Sequence, residues 1–273
     1  MITIAIPTIG RSKTFNRAFN SALKVDIRLI SGIVIINNSQ STEFTSYLED
    51  QISKANDSRI ILISHPARVS MAESWNSSLN LIRTAWVLFL HDDDELLDIN
   101  SAIDLILKRI EEFSNVGFLA FDFKCQYPSR LFQKNRRIMH NWPKVLNVEA
   151  LIDECPKFVS TIINVEELRR IDGFSNNYGN FLDTIAFLEI FKFASAASIA
   201  ITLGVYHLHE DNESDIQKRA TGYGDFIPQV CKSFFELYQS PEVRYRFVNS
   251  ILSFVYPQKQ NLALRILKKF KII

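Results

Sequence analysis

Four short apolar runs, each closed by polar or turn residues, pattern the N-terminal part of the chain: Ile2–Ile6, Gly32–Ile36, Arg59–Ile63 and Trp86–Leu90. Runs of this length read as strands buried on both faces of a mostly parallel sheet. Between them the apolar positions change to helical spacing. From about Ser12 to Lys24, the residues Phe15, Ala18, Phe19, Ala22 and Leu23 fall on one face of a helix. Thr42–Lys54 and Ser70–Ile82 are the second and third helices, and Ser70 with Glu73 forms a capping box for the latter. Strand–helix alternation at this spacing predicts βαβ units and an α/β fold.

The later pattern is less regular. A helix is expected over Ser101–Phe113, a strand over Val116–Phe123 and a last sheet strand over Ile199–Val205. Lys124–Leu151 is rich in Arg, Lys, Asn and Pro and reads as irregular. Its cluster Lys134, Arg136 and Arg137 is either an attractor for phosphate or an anionic glycan, or a solvated loop. From about Ser214 the chain looks helical and separate, which divides it into a main domain over 1–212 and a helical extension over 213–273. In the tail, Leu262, Ile266, Leu267 and Phe270 lie on one helical side and Arg265, Lys268, Lys269 and Lys271 on the other. Such a basic amphipathic helix suits a membrane surface, and equally suits docking on its own domain or on a second subunit of a homo-oligomer.

Composition narrows the class. The 273 residues are 47% hydrophobic and 22% charged, which is globular and large enough for a substantial core. A net charge of +1 provides no overall field for nucleic acid. Three cysteines without metal-type spacing point to a reducing compartment. Met1–Ile6 lacks a basic leader and Pro7 ends its apolar run, so a cytoplasmic protein is expected, with the tail allowing peripheral contact at the inner face of the cell membrane.

The chemistry concentrates after the fourth apolar run, where the chain meets His91, Asp92, Asp93, Asp94 and Glu95. In open α/β sheets, ligands bind outside the carboxyl ends of strands. Adjacent carboxylates repel, and a divalent cation relieves that repulsion while clamping phosphates. Hard oxygen ligands suit Mg2+ or Mn2+. The alternative is a solvated acidic turn ahead of a helix capped by Asp98 or Asn100. No glycine-rich phosphate loop follows the first strand, which argues against a dinucleotide fold and a P-loop ATPase.

Four segments, in this order and spacing, carry a family resemblance: Ile6-Pro7-Thr8-Ile9-Gly10-Arg11, Ile35-Ile36-Asn37-Asn38-Ser39, Met71-Ala72-Glu73-Ser74-Trp75-Asn76 and Phe89-Leu90-His91-Asp92-Asp93-Asp94. They resemble the family-2 nucleotide-sugar glycosyltransferases of GT-A fold, in the form found in bacterial surface-polysaccharide synthesis. The resemblance implies a mostly parallel sheet flanked by helices. It implies inverting transfer from a nucleotide sugar, with UDP- or dTDP-sugars favoured, to a glycan or lipid-linked acceptor. By position, Asp93 is the metal ligand, Asp92 faces the ribose or the metal, and Asp94 steadies the loop or reaches donor hydroxyls. His91 stands where many relatives have the first aspartate. Pro7, Thr8 and Arg11 lie in the loop that touches the nucleotide. Asn37 and Asn38 replace an acid that often accepts the uracil imide proton, and Arg68 is placed to reach the diphosphate.

Further on, Asp172-Gly173-Phe174 resembles the family's Gly-Gly-Phe passage, which leads to an acidic pair on a helix start. Here Asn180-Phe181-Leu182-Asp183-Thr184 holds one acid of the pair, so Asp183 is the candidate general base. A single displacement needs one base to take the acceptor proton, not two carboxylates. Tyr206-His207-Leu208-His209 resembles a passage that closes over the donor, with His209 on the metal or the diphosphate. A sugar nucleotidyltransferase and a degenerate glycan-binding module are the competing readings. The former lacks its usual glycine-rich basic first loop in Pro7–Arg11.

Overall fold

The computed structural model describes residues 1–113, 115–126, 136–138, 144–209 and 223–255. Its strands are β1 (Ile2–Thr8), β2 (Ile30–Asn37), β3 (Ile60–Ser64), β4 (Trp86–Phe89), β5 (Glu95–Leu96), β6 (Phe118–Gln126), β7 (Arg136–Ile138), β8 (Thr161–Asn164) and β9 (Ala196–His207). Its helices are α1 (Ser12–Leu23), α2 (Thr42–Ala55), α3 (Met71–Leu79), α4 (Ile103–Glu112), α5 (Val148–Asp153), α6 (Val165–Arg170), α7 (Leu182–Phe193), α8 (Ile227–Leu237) and α9 (Pro241–Val255). Among the described residues, the strands make one nine-stranded sheet in the order β3-β2-β1-β4-β8-β6-β9-β5, with β7 paired to β6.

The four apolar runs of the N-terminal part form β1 to β4, all mutually parallel. Side chains alternate across this sheet. Ile2, Ile4 and Ile6 pack with Phe15, Phe19 and Ile103 on one face, while Ala5, Val34, Ile36 and Phe89 pack with Trp75 and Phe174 on the other. The mostly parallel α/β expectation holds, with antiparallel joints where β8 lies between β4 and β6 and where β5 meets β9.

Helix α3 opens on the expected capping box: Ser70 Oγ accepts from Glu73 N at 3.2 Å and Glu73 Oε2 accepts from Ser70 N at 3.0 Å. It stops at Leu79 and not at Ile82. The Ser77 and Ser78 hydroxyls bond the carbonyls of Ser74 and Trp75 at 2.7 Å, one turn back, which competes with continued helix.

Three stretches depart from the sequence reading. Thr161–Asn164, to which the sequence pattern assigned no strand, is β8. Its β-branched residues fill the slot between β4 and β6, and Asn164 then caps α6 by accepting from Glu166 N at 3.0 Å. The last strand starts at Ala196, three residues before Ile199, because β6 offers pairing along that whole length. The stretch Lys124–Leu151 is partly regular: β6 continues to Gln126, β7 pairs with it, and Asn147 caps α5 by accepting from Ala150 N at 2.8 Å. Lys134 lies outside the described residues, as do Leu262–Ile273 and the 212/213 boundary.

Helices α8 and α9 do not stand apart. Ile227, Val230, Phe234, Phe247 and Ile251 join the buried cluster that contains Ile185 and Phe187 of α7. Among the described residues, no helix is long and apolar enough to cross a membrane.

Candidate active site

Strands β1, β2 and β4 end at one rim of the sheet, with Thr8 level with Asn37 and Leu90 N bonded to Ala5 O at 2.9 Å. Beyond Leu90 the chain turns, and Asp94 N closes on His91 O at 3.1 Å. Pairing of Glu95 with Val205 then anchors the far end of the turn to β9. His91, Asp92, Asp93 and Asp94 are held between two sheet contacts.

This geometry overturns the solvated acidic turn. Asp92, Asp93 and Asp94 are 5%, 6% and 1% exposed. Buried carboxylates need partners, and each has them. Thr8 Oγ1 donates to Asp92 Oδ2 at 2.7 Å. Arg11 Nη1 reaches Asp93 Oδ2 at 2.8 Å and Asp92 Oδ1 at 3.6 Å. His209 Nε2 also meets Asp93 Oδ2, at 2.9 Å, and His207 N donates to Asp94 Oδ1 at 3.0 Å. Pro7 lies in β1 just before Thr8.

The electrostatics separate the three acids. Burial pushes Asp92 upward, against the Thr8 hydrogen bond. Burial, and then the neighbouring charge of Asp93, push Asp94 well above the usual carboxylate range. Asp93 goes the other way. Against the burial penalty, the His209 hydrogen bond and the charges of His91, Arg11 and His209 hold it at about 2. Asp93 is therefore the fixed anion of the rim, and the protein's own cations already gather on it.

Whether these residues fit a divalent cation rests on His91. Its Nε2 is buried without a hydrogen-bond partner among the described residues, and its ring packs against Trp75 at 5.3 Å and Phe158 at 5.5 Å. One donor atom each from His91, Asp93 and Asp94 lies within 4.8 Å of the others. Carboxylate oxygens suit Mg2+ or Mn2+, and an imidazole nitrogen is a common ligand of divalent metals. The residues fit the ion.

The other expected residues are distributed differently. Asn37 and Asn38 sit at the rim, but their amides are engaged. Asn37 Nδ2 donates to Thr45 Oγ1 at 2.9 Å and its Oδ1 accepts from Ser39 N at 3.0 Å. Asn38 bridges to the backbone of Val69, donating to its carbonyl at 2.9 Å and accepting from its N–H at 3.0 Å. Asn38 thereby ties the loop carrying Arg68 to the end of β2. Arg68 itself is exposed, with no hydrogen bond or ion pair to a described residue. Asp183 is half-buried on the first turn of α7, and its Oδ1 accepts from Thr184 N at 2.6 Å.

Trp75 and Asn76 are scaffold. Trp75 meets Phe89, Phe158 and Phe174 with ring centroids 6.0, 5.0 and 5.1 Å apart. Asn76 exchanges two 2.8 Å hydrogen bonds with the backbone of Phe174. Gly173 has φ +76, and a Cβ there would lie 2.4 Å from Asn76 Oδ1, so the Asp172-Gly173-Phe174 passage requires its glycine.

Sequence reasoning missed Arg17 and His207. Arg17 Nη2 donates to the carbonyl of Asp93 from one and a half turns into α1, and a polar residue on the margin of that helix's buried face was its one visible sign. The His207 backbone fixes Asp94, and no sequence pattern announces a main-chain donor.

Buried carboxylates on a turn at the carboxyl ends of parallel strands, gathered around by arginine and histidine, define the site of a nucleotide-sugar-handling α/β protein. The chain belongs to the glycosyl transferase family 2, whose model matches residues 3–162, and it is a glycosyltransferase. No curated protein matches it by sequence. Among solved structures it is similar to S. aureus TarS 1–349 in complex with UDP-GlcNAc, with a TM-score of 0.69 at 12% identity, covering 98% of this chain and 77% of that one. It is also similar to the mannosyltransferase PcManGT from Pyrobaculum calidifontis in complex with GDP-Man and Mn2+, with a TM-score of 0.67 at 13% identity, covering 98% and 75%. At such identities the likeness establishes the shared GT-A fold.

Proposed function

We propose that the chain moves a sugar, with inversion, from a nucleoside-diphosphate donor to a hydroxyl of a glycan or lipid-linked acceptor in the assembly of a bacterial surface polysaccharide. The observation that carries this reading is the buried carboxylate turn with Arg11 and His209 drawn onto Asp93. The UDP-GlcNAc and GDP-Man complexes of the two similar structures support a nucleotide sugar as donor.

Thr8 and Asp92 form one hydrogen-bonded unit on the ribose side of the rim. Arg11 and Arg68 supply the cationic groups for the diphosphate. Mg2+ or Mn2+ would be held by Asp93 with His91, Asp94 and His209 as the available donors, and it neutralises charge on the departing diphosphate when bound. Asp183 takes the proton of the attacking hydroxyl; its Oδ2 makes no hydrogen bond with a described residue. The Asn37 and Asn38 amides are engaged by protein, so the preference for UDP or dTDP rests on the family resemblance and on the UDP-GlcNAc complex of the similar TarS structure.

Calorimetric titration with UDP, dTDP and GDP, with and without Mn2+, tests the site. Wild type binds at least one nucleotide more tightly with Mn2+, and Asp93→Ala abolishes that gain. Equal, metal-independent binding by both proteins rejects the metal role.

A further inference from the structure

Lys157 has no place in the mechanism above, yet its position is unusual. It lies where the chain leaves α5 for β8, half-buried. Its side-chain amine makes no hydrogen bond and no ion pair with any described residue; it lies over the Tyr206 ring, with the centroid 6.0 Å away. Drawing an ammonium part-way out of water without a counter-ion is unfavourable. Burial works against its charge, but the surrounding Tyr206, Cys155, Asp183 and Cys125 hold the amine above the usual lysine range. It stays a cation.

The fold puts this cation between the carboxylate turn and the candidate base. Tyr206, beneath the amine, is followed by His207 and His209, which meet Asp94 and Asp93. On the other flank, the Cys155 thiol, two residues before Lys157, lies against the Thr184 hydroxyl, next to Asp183. The Asp183 charge acts on Lys157, but the two form no ion pair; Asp183 Oδ1 accepts from Thr184 N and Oγ1. The donor phosphates have their own cation in Arg11, at the Asp93 end.

We propose that Lys157 is the anion-binding residue of the acceptor subsite, so that the acceptor carries an oxyanion, phosphate ester or carboxylate, beside the hydroxyl that attacks. This rests on the glycosyl-transfer reading and deepens it by naming the acceptor's chemical class. An acceptor of this kind is held by its charge on Lys157 while its hydroxyl is presented to Asp183.

The test is saturation-transfer NMR and calorimetry on the full chain saturated with UDP and Mn2+, so that the diphosphate site is filled. The probes are glycerol 1-phosphate, methyl glucuronoside and neutral methyl glucoside. Wild type and Lys157→Arg should bind a charged probe about tenfold or more tightly than Lys157→Met, while UDP affinity and the response to methyl glucoside stay equal in all three. The stronger of the two charged probes identifies phosphate or carboxylate as the group. Charged-probe binding unchanged in Lys157→Met overturns the proposal. A loss of UDP affinity in Lys157→Met also overturns it, because the amine then serves the donor. Failure of wild type to bind UDP, dTDP or GDP sinks the glycosyl-transfer reading instead, and is seen before any charged probe is added.

Discussion

Replacing Arg11 by methionine isolates the electrostatics of the carboxylate turn. The guanidinium lies 2.8 Å from Asp93 Oδ2 and 3.6 Å from Asp92 Oδ1, and the two acid side chains are 8% and 7% exposed. Removing one partner of a fully buried pair costs about 3–5 kcal/mol. Arg11 is 31% exposed, so solvent screening reduces this to about 2 kcal/mol. The Asp93 acid supplies an independent measure. It is lowered from 3.8 to about 2, which at about 1.4 kcal/mol per pH unit is again on the order of 2 kcal/mol, shared among His209, His91 and Arg11. At about 2–4 °C per kcal/mol for a chain of this size, Arg11→Met should lower the melting midpoint by about 4–8 °C in metal-free buffer. Its acid is depressed, so the Asp93 contribution is complete above 3.8 and is lost as pH falls through about 2. In Arg11→Met the contribution is smaller and its loss is complete at a higher pH. Excess Mn2+ should restore most of the midpoint, because a metal cation takes over the lost charge. The assay is scanning calorimetry in EDTA and in Mn2+, across pH. Arg28→Met is the control: its side chain is 57% exposed, and it should shift the midpoint by less than about 1 °C. An unchanged midpoint for Arg11→Met in EDTA, or an equal loss with and without Mn2+, refutes the reasoning.

Two further outcomes follow from the same geometry. Asp183→Asn should keep nucleotide and Mn2+ affinity while transfer falls about 100-fold or more, measured by product formation with saturating donor; near-normal turnover rejects Asp183 as base. Gly173→Ala meets Asn76 Oδ1 and forces φ +76 on a residue with a side chain, so urea denaturation should show a loss of about 2 kcal/mol or more, and an unchanged midpoint shows that the passage tolerates a Cβ.

The chain's own pattern determined the first half of the fold and the identity of the carboxylate turn. Apolar runs of strand length alternating with helical spacing leave little besides a parallel sheet, and an acidic turn at the end of such a run must lie at the sheet's rim. That inference needs only local periodicity and the rule that strands end where polar residues begin. Local information could not show which way the polar atoms at the rim face. Asn37 and Asn38 are amides in the sequence, but Thr45, Ser39 and Val69, brought in from other elements, engage them. His91 stands in the sequence only as the residue that ends an apolar run; tertiary packing against Trp75 and Phe158 leaves its Nε2 without a hydrogen-bond partner among the described residues, beside two acids. Strand β8 was illegible because its four residues become a strand only when β4 and β6 flank them. Lys157 shows the same limit: a lysine is ordinarily a surface residue, and only the approach of β9 and α7 makes it a half-buried cation that forms no ion pair with a described residue. Hydrogen-bond partners and burial are properties of distant chain segments meeting, and no single segment encodes them.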